Sequence, residues 1–127
     1  PSNVFVAQFI GTPKMNILKI TSDKIISNHE VNFLDNKIKI DGINFTKKDY
    51  YFGIRPEHFE VSDNSEYKFN PKVELVENLG NEKIAYIKID NQDISAKISS
   101  QTNIGNQIGF SSKNIFVFDE NGTRLRS

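Results

Sequence analysis

Residues 53–59 read Gly53-Ile54-Arg55-Pro56-Glu57-His58-Phe59. The run entering it, Tyr50-Tyr51-Phe52-Gly53-Ile54-Arg55, has the aromatic and β-branched content of a strand. Pro56 ends that strand, because proline has no amide hydrogen to give to a ladder. The chain therefore turns a corner that delivers an arginine, a glutamate and a histidine together. Arg55, Pro56, Glu57 and His58 are the first candidate functional residues. One reading is architectural: Pro56 opens a short helical turn, Glu57 favours the N-terminus of that turn, and Arg55 satisfies nearby carbonyls or a carboxylate. A catalytic Glu/His reading has no nucleophile, metal partner or oxyanion donor beside it in the sequence.

Toward the N-terminus, the apolar residues follow a period of two. Met15, Ile17, Ile20, Ile25, Ile26, Val31, Phe33, Ile38, Ile40, Ile43 and Phe45 fall in short runs cut by polar groups. Asp35-Asn36 and Asp41-Gly42 are turn dipeptides, since Asn, Asp and Gly tolerate the positive φ of tight hairpins. A meander of short antiparallel strands is expected here. Only the first segment reads as helix: Val4, Phe5, Phe9 and Ile10 are apolar, Ser2 or Asn3 can cap, and Gly11-Thr12-Pro13 closes it. A helix so short is not stable alone and needs a surface to pack on.

Beyond the corner, Ser62-Asp63-Asn64-Ser65-Glu66 reads as a solvated loop without a packing residue. The most regular strands follow, around Val73-Glu74-Leu75-Val76, Ile84 to Ile89, and Ile94, Ala96 and Ile98. Leu79-Gly80-Asn81-Glu82 and Asp90-Asn91-Gln92-Asp93 supply their turns. Ile108 to Phe110 and Ile115 to Phe118 complete the pattern, with a terminal turn at Asp119-Glu120-Asn121-Gly122. About ten short strands at near-regular spacing predict an all-β fold. The expected architecture is an OB-fold-type β-barrel or sandwich with one short N-terminal helix.

The 127 residues suit one domain, and 16 basic residues balance 16 acidic ones. No net field exists to draw in nucleic acid or an anionic membrane. Without cysteine there is no disulfide framework, thiolate nucleophile or Cys-based zinc site, which agrees with a reducing compartment. The two histidines, His29 and His58, are too few for a metal site of three or four converging ligands.

Three separated stretches resemble one family. Residues 1–16, ending Gly11-Thr12-Pro13-Lys14-Met15-Asn16, look like the junction after the nucleotide-binding domain in ATP-binding subunits of ABC importers of the maltose/glycerol-phosphate type. Gly53-Ile54-Arg55-Pro56-Glu57-His58 resembles a motif in the regulatory domain of the same subunits. Val76-Glu77-Asn78-Leu79-Gly80-Asn81-Glu82 and the closing Ile115 to Leu125 resemble its last sheet and tail.

The resemblance implies residues 1–13 as the end of a linker helix from an ATP-binding domain outside this sequence. Residues 14–127 would be a regulatory transport-associated (TOBE-type) OB domain. It implies a cytoplasmic location at the inner face of the membrane, within the transporter complex. The implied partners are a second copy, the ATP-binding domain, integral membrane permease subunits and a regulatory protein, with no nucleic acid. By the same resemblance the turn at Arg55, Pro56, Glu57 and His58 lies near the dimer or regulator surface, where Arg55 would form a bidentate pair with a carboxylate; Glu77, Gly80 and Glu82 join it as dimer-surface or regulatory candidates, and Phe5, Phe9, Met15 and Asn16 are assigned to the linker. No P-loop of the form Gly-x-x-x-x-Gly-Lys-Ser/Thr occurs, so the fragment is expected to be no enzyme and to hold no cofactor. ATP and magnesium would belong to the ATP-binding domain of a parent ATPase. The alternative carried by related barrels is a module that binds a small molecule or oxyanion.

Overall fold

The computed structural model describes residues 15–126. The expected helix at residues 4–10, with Phe5 and Phe9, lies outside them. Within the described residues the chain is all-β, with twelve strands and three single-turn 3-10 helices.

The strands, in chain order, are β1 (Asn16–Ile20), β2 (Ile25–Ser27), β3 (Glu30–Phe33), β4 (Asn36–Lys39), β5 (Tyr50–Ile54) and β6 (Tyr67–Phe69). They continue as β7 (Val73–Asn78), β8 (Glu82–Ile89), β9 (Gln92–Ser99), β10 (Ile108–Phe110), β11 (Phe116–Phe118) and β12 (Arg124–Arg126). They form four antiparallel sheets ordered β1-β5-β11-β12, β10-β6, β2-β3-β4 and β7-β8-β9. None of these sheets closes on itself, so the OB-type architecture is a layered sandwich rather than a closed barrel.

Period-two patterning sets the faces. Along β8 and β9, Ala85, Ile87, Ile94, Ala96 and Ile98 are buried while Tyr86, Lys88 and Lys97 point outward. The pairing keeps like with like, Ile87 opposite Ile94 and Ala85 opposite Ala96. The intervening turn has Asp90 and Asn91 at φ 48° and 65°, the left-handed pair that matches strand twist in a two-residue hairpin.

The core is joined across sheets by aromatic rings. Phe33 of β3 meets Phe52 of β5 edge-on at 5.1 Å and Phe110 of β10 at 5.6 Å, so one side chain links three sheets. Phe45 stands edge-on to Tyr50 at 5.0 Å. Each such pair is worth about 0.5–1.5 kcal/mol beyond the area it buries.

Several local expectations are corrected. The β3–β4 turn uses Leu34 and Asp35, at φ 48° and 63°, one residue earlier than Asp35-Asn36. Asn36 instead opens β4, and its amide donates to the carbonyls of Leu34 (2.8 Å) and Lys68 (2.7 Å). That bond to β6 outweighs the turn preference of asparagine. Ile43 to Phe45 is loop, not strand: Phe45 is buried, and its amide donates to the Asn28 carbonyl at 2.7 Å. The 62–66 segment is not merely solvated. Ser65 is half-buried against Gly109, and the Glu66 carboxylate accepts from Ser112 N–H and Oγ, each at 2.8 Å. After the terminal turn the chain makes one more strand, β12, on β11.

Candidate functional site

The corner is built where β5 runs out. Ile54 is fully buried, Arg55 is extended at φ −70° and ψ 145°, and Pro56–His58 forms a 3-10 turn closed by His58 N–H to the Arg55 carbonyl at 3.0 Å. Pro56 and Phe59 are buried, Glu57 is exposed, and the turn packs against β9. Proline at the first position gives up an amide that would have had no intrahelical partner.

Arg55 does not find the carbonyl or carboxylate expected of it. Its guanidinium lies over the Phe116 ring, 5.3 Å from the centroid, and no carboxylate is within ion-pair distance among the described residues. The positive plane is held by the ring's negative face rather than by an anion. His58 is half-buried, and its Nδ1 has no hydrogen-bond partner among the described residues.

Met15 and Asn16, assigned to the linker, are buried parts of the β-domain, at 4% and 6% exposure. Asn16 Nδ2 donates to the carbonyls of Ile54 (3.0 Å) and Ser95 (2.8 Å), while Oδ1 accepts from Ser95 N–H at 2.8 Å. One amide thus ties β1 to the end of β5 and to β9. Met15 covers Gly53, where a Cβ would sit 2.8 Å from its sulfur. Met15-Asn16 and Gly53-Ile54, far apart in sequence, meet in one place.

Glu77, Gly80 and Glu82 lie apart from that corner, in the β7–β8 hairpin, and no hydrogen bond or ion pair joins the two groups among the described residues. Gly80 turns the hairpin at φ +95°, a conformation that disfavours any side chain. Glu82 pairs with Lys97 at 3.0 Å. Glu77 accepts from the Tyr86 hydroxyl at 3.0 Å, and this bond, with its negative charge, raises the phenol above its usual range. Around them is a surface the acidic residues do not advertise. β7 is an edge strand whose residues from Glu74 onward are exposed, and Leu75 (61%), Leu79 (58%), Val76 and Tyr86 stand open to solvent. A strand reading could have found it, since Leu75-Val76 is an apolar pair that alternation cannot bury on one face.

Residues 52–112 of this layered β-sandwich match the TOBE domain family, so the chain contains such a domain over that span. The matched span starts in β5, so β1 and β11, the strands flanking β5, are contributed from outside it. The homologues are ATP-binding proteins of sugar and sn-glycerol-3-phosphate ABC importers. The alpha-glucoside transport ATP-binding protein AglK of Rhizobium meliloti is 30% identical over 137 residues, all of this chain and 38% of that protein. The maltose/maltodextrin import ATP-binding protein MalK of Photobacterium profundum is 38% identical over 98 residues, 73% of this chain and 27% of that protein. The sn-glycerol-3-phosphate import ATP-binding protein UgpC of Psychromonas ingrahamii is 33% identical over 131 residues, 94% of this chain and 34% of that protein. The chain thus spans little more than a third of the length of these relatives at most. No helix among the described residues is long and apolar enough to cross a membrane.

Proposed function

We propose that the chain is the regulatory and dimerisation domain of the cytoplasmic ATP-binding subunit of an ABC importer for sugars or glycerol phosphate. In this reading it holds two subunits together while their ATP-binding domains open and close beneath the integral membrane permease subunits, and it offers a surface to a regulatory protein. It catalyses nothing itself. ATP and magnesium are held by the ATP-binding domain, since this sequence has no phosphate-cradling loop.

The observation that carries the reading is the apolar flank of β7 and β8. Leu75 pairs across the ladder with Tyr86, so both lie on the outer face of the sheet, and Leu79 in the following turn is exposed as well. Large apolar side chains gathered at one end of a sandwich mark a surface that gains by being covered. Face-to-face packing suits a second copy better than edge pairing. Two antiparallel β7 edges centred between Leu75 and Val76 would place Glu74 opposite Glu77, and like charges directly opposite destabilise a ladder.

The test is sedimentation velocity on the ATP-binding subunit that carries this domain, with and without it, in the absence of ATP. Loss of self-association on deletion supports the reading; unchanged self-association removes the dimerisation role.

A further inference from the structure

The sheet β7-β8-β9 has two edges, and they are finished differently. In an antiparallel ladder bonded and non-bonded pairs alternate, which fixes the backbone groups that each edge turns outward. Across the two-residue β8–β9 turn, Ile89–Gln92 is the first bonded pair, so Tyr86–Ser95 is non-bonded and Ser95 faces outward. Asn16 takes both the N–H and the carbonyl of Ser95, at 2.8 Å each. On the other side, the β7–β8 turn closes with Leu79 N–H donating to the Glu82 carbonyl at 2.8 Å. Glu77–Ile84 and Leu75–Tyr86 are then bonded pairs, and Val76 and Asn78 turn their N–H and carbonyl groups away from β8. Among the described residues nothing bonds to them.

We propose that this edge takes up an extended segment of a partner protein as an added strand, the segment carrying an apolar pair between two basic residues. The inference rests on the regulator part of the proposed function and not on self-association. An added strand lies in the plane of the sheet and leaves the outer face of β7 and β8 open, so failure here leaves the sedimentation result standing.

The edge is unguarded. Proteins blunt such edges with basic residues, proline or a covering group. β12 carries Arg124 and Arg126, and on β4 the Lys39 N–H donates to the Tyr67 hydroxyl at 3.1 Å. β7, reading Val73-Glu74-Leu75-Val76-Glu77-Asn78, has neither a proline nor a basic residue. Its apolar pair is open, Leu75 at 61% and Val76 at 44% exposure. Adjacent strand residues point to opposite faces, so a molecule packed on one face cannot cover both, whereas an added strand sets side chains beside each.

Charge names the occupant. Glu74 and Glu77 bracket the apolar pair; Glu74 has no ion-pair partner among the described residues, and Glu77 only accepts from the Tyr86 hydroxyl. A segment reading basic, apolar, apolar, basic meets both carboxylates, and it does so in either strand direction. A second copy fits less well. Its own β7 sets glutamate against glutamate. Its β12, Arg124-Leu125-Arg126, has basic residues two apart rather than three, and Arg126 already donates to the Ser112 carbonyl at 2.7 Å. In strand addition the main-chain bonds supply affinity and the side chains choose the sequence.

The experiment is amide NMR with hydrogen exchange on the 127-residue chain, using the peptide acetyl-Thr-Lys-Val-Val-Lys-Thr-amide as probe. The control peptide has glutamate in place of both lysines. The lysine peptide is expected to saturate with Kd below about 1 mM, and the control to bind at least about tenfold more weakly. At a peptide concentration about ten times Kd, exchange of the Val76 and Asn78 amides should slow about tenfold. Glu74→Lys with Glu77→Lys, both exposed positions, should reverse the preference between the two peptides. Unchanged exchange at Val76 and Asn78, equal binding of the control, or a preference that the charge reversal leaves in place overturns the proposal. So does protection of these amides that grows with protein concentration in the absence of peptide, which would put a second copy on the edge.

Discussion

Asn16 and Ser95 are bonded twice, amide to backbone in both directions, across 79 positions of sequence. The same Asn16 side chain holds the last residue of β5, so three strands from two sheets share one polar side chain in an otherwise apolar core. Asn16→Ala leaves the Ser95 N–H and the Ser95 and Ile54 carbonyls without their partner. The expected loss is about 2–4 kcal/mol in urea unfolding, from penalties of roughly 1–3 kcal/mol per unsatisfied buried group. A loss under about 0.5 kcal/mol would mean that water replaces the amide without cost.

The Arg55–Phe116 stack makes a separable prediction. A double-mutant cycle with Arg55→Ala and Phe116→Leu should give a coupling of about 0.5–1 kcal/mol, as for partly exposed cation–π pairs. If Arg55 also serves an intersubunit contact, Arg55→Ala weakens self-association beyond what Phe116→Leu does. A variant that folds and dimerises as before would leave the arginine with no role in either.

Gly109 has less room than Gly53. A Cβ there would meet Ser65 Oγ at 2.1 Å and Ser65 Cβ at 2.3 Å, whereas at Gly53 the obstacle is a flexible methionine. Gly109→Ala should therefore destabilise by about 1–3 kcal/mol, the usual range for overpacking, and Gly53→Ala by less. Adding Ser65→Gly to Gly109→Ala should recover most of the loss, which calorimetric melting of the three variants would measure.

Glu66 predicts acid sensitivity. Burial alone would raise its pKa, but hydrogen bonds from Ser112 N–H and from the Ser112 and Ser111 hydroxyls, aided by Lys113, together outweigh it and hold the carboxyl below the ordinary 4.5. A depressed folded-state pKa stabilises above the unfolded value and loses that contribution as pH falls through the folded value. Stability should drop on acidification below about pH 4.5, and Glu66→Gln should flatten that part of the profile while lowering the neutral-pH plateau. Parallel profiles for the two proteins would refute the role.

The exposed flank tests the dimer reading directly. Leu75→Asp with Leu79→Asp removes apolar surface that the isolated domain leaves in water, so folding stability should stay within about 0.5 kcal/mol. Self-association of the subunit should weaken at least about tenfold by sedimentation.

Much of the fold was legible where a residue's own preference and its tertiary setting agree. Asp90-Asn91 announces the β8–β9 hairpin because both accept positive φ, and the alternation of Ile84 to Ile98 sets its faces. Legibility fails where a long-range bond overrides local preference. Asn36 looks like a turn residue, yet its bond to Lys68 draws it into β4. Arg124-Leu125-Arg126 has too little apolar content to read as a strand and becomes one because β11 offers an open edge. In the candidate site, the corner's 3-10 turn follows from Pro56. The burial of Asn16 does not follow from its type, because a core asparagine is set by partners dozens of residues away.

The Asn16 clamp also bears on the order in which the chain can acquire its structure. The β8–β9 hairpin closes over a two-residue turn, an event of about 1–10 μs for a hairpin, while β1 must wait for partners that follow 38 and 79 positions later. On the ribosome, β1 emerges before every strand it bonds to: β5 brings the Ile54 carbonyl first, and the two bonds to Ser95 must wait for β9. β1 can pair with β5 before half of these residues are made, yet the asparagine at its start keeps one bond of three until β9 is complete, so the first strand of the sandwich is among the last to be locked.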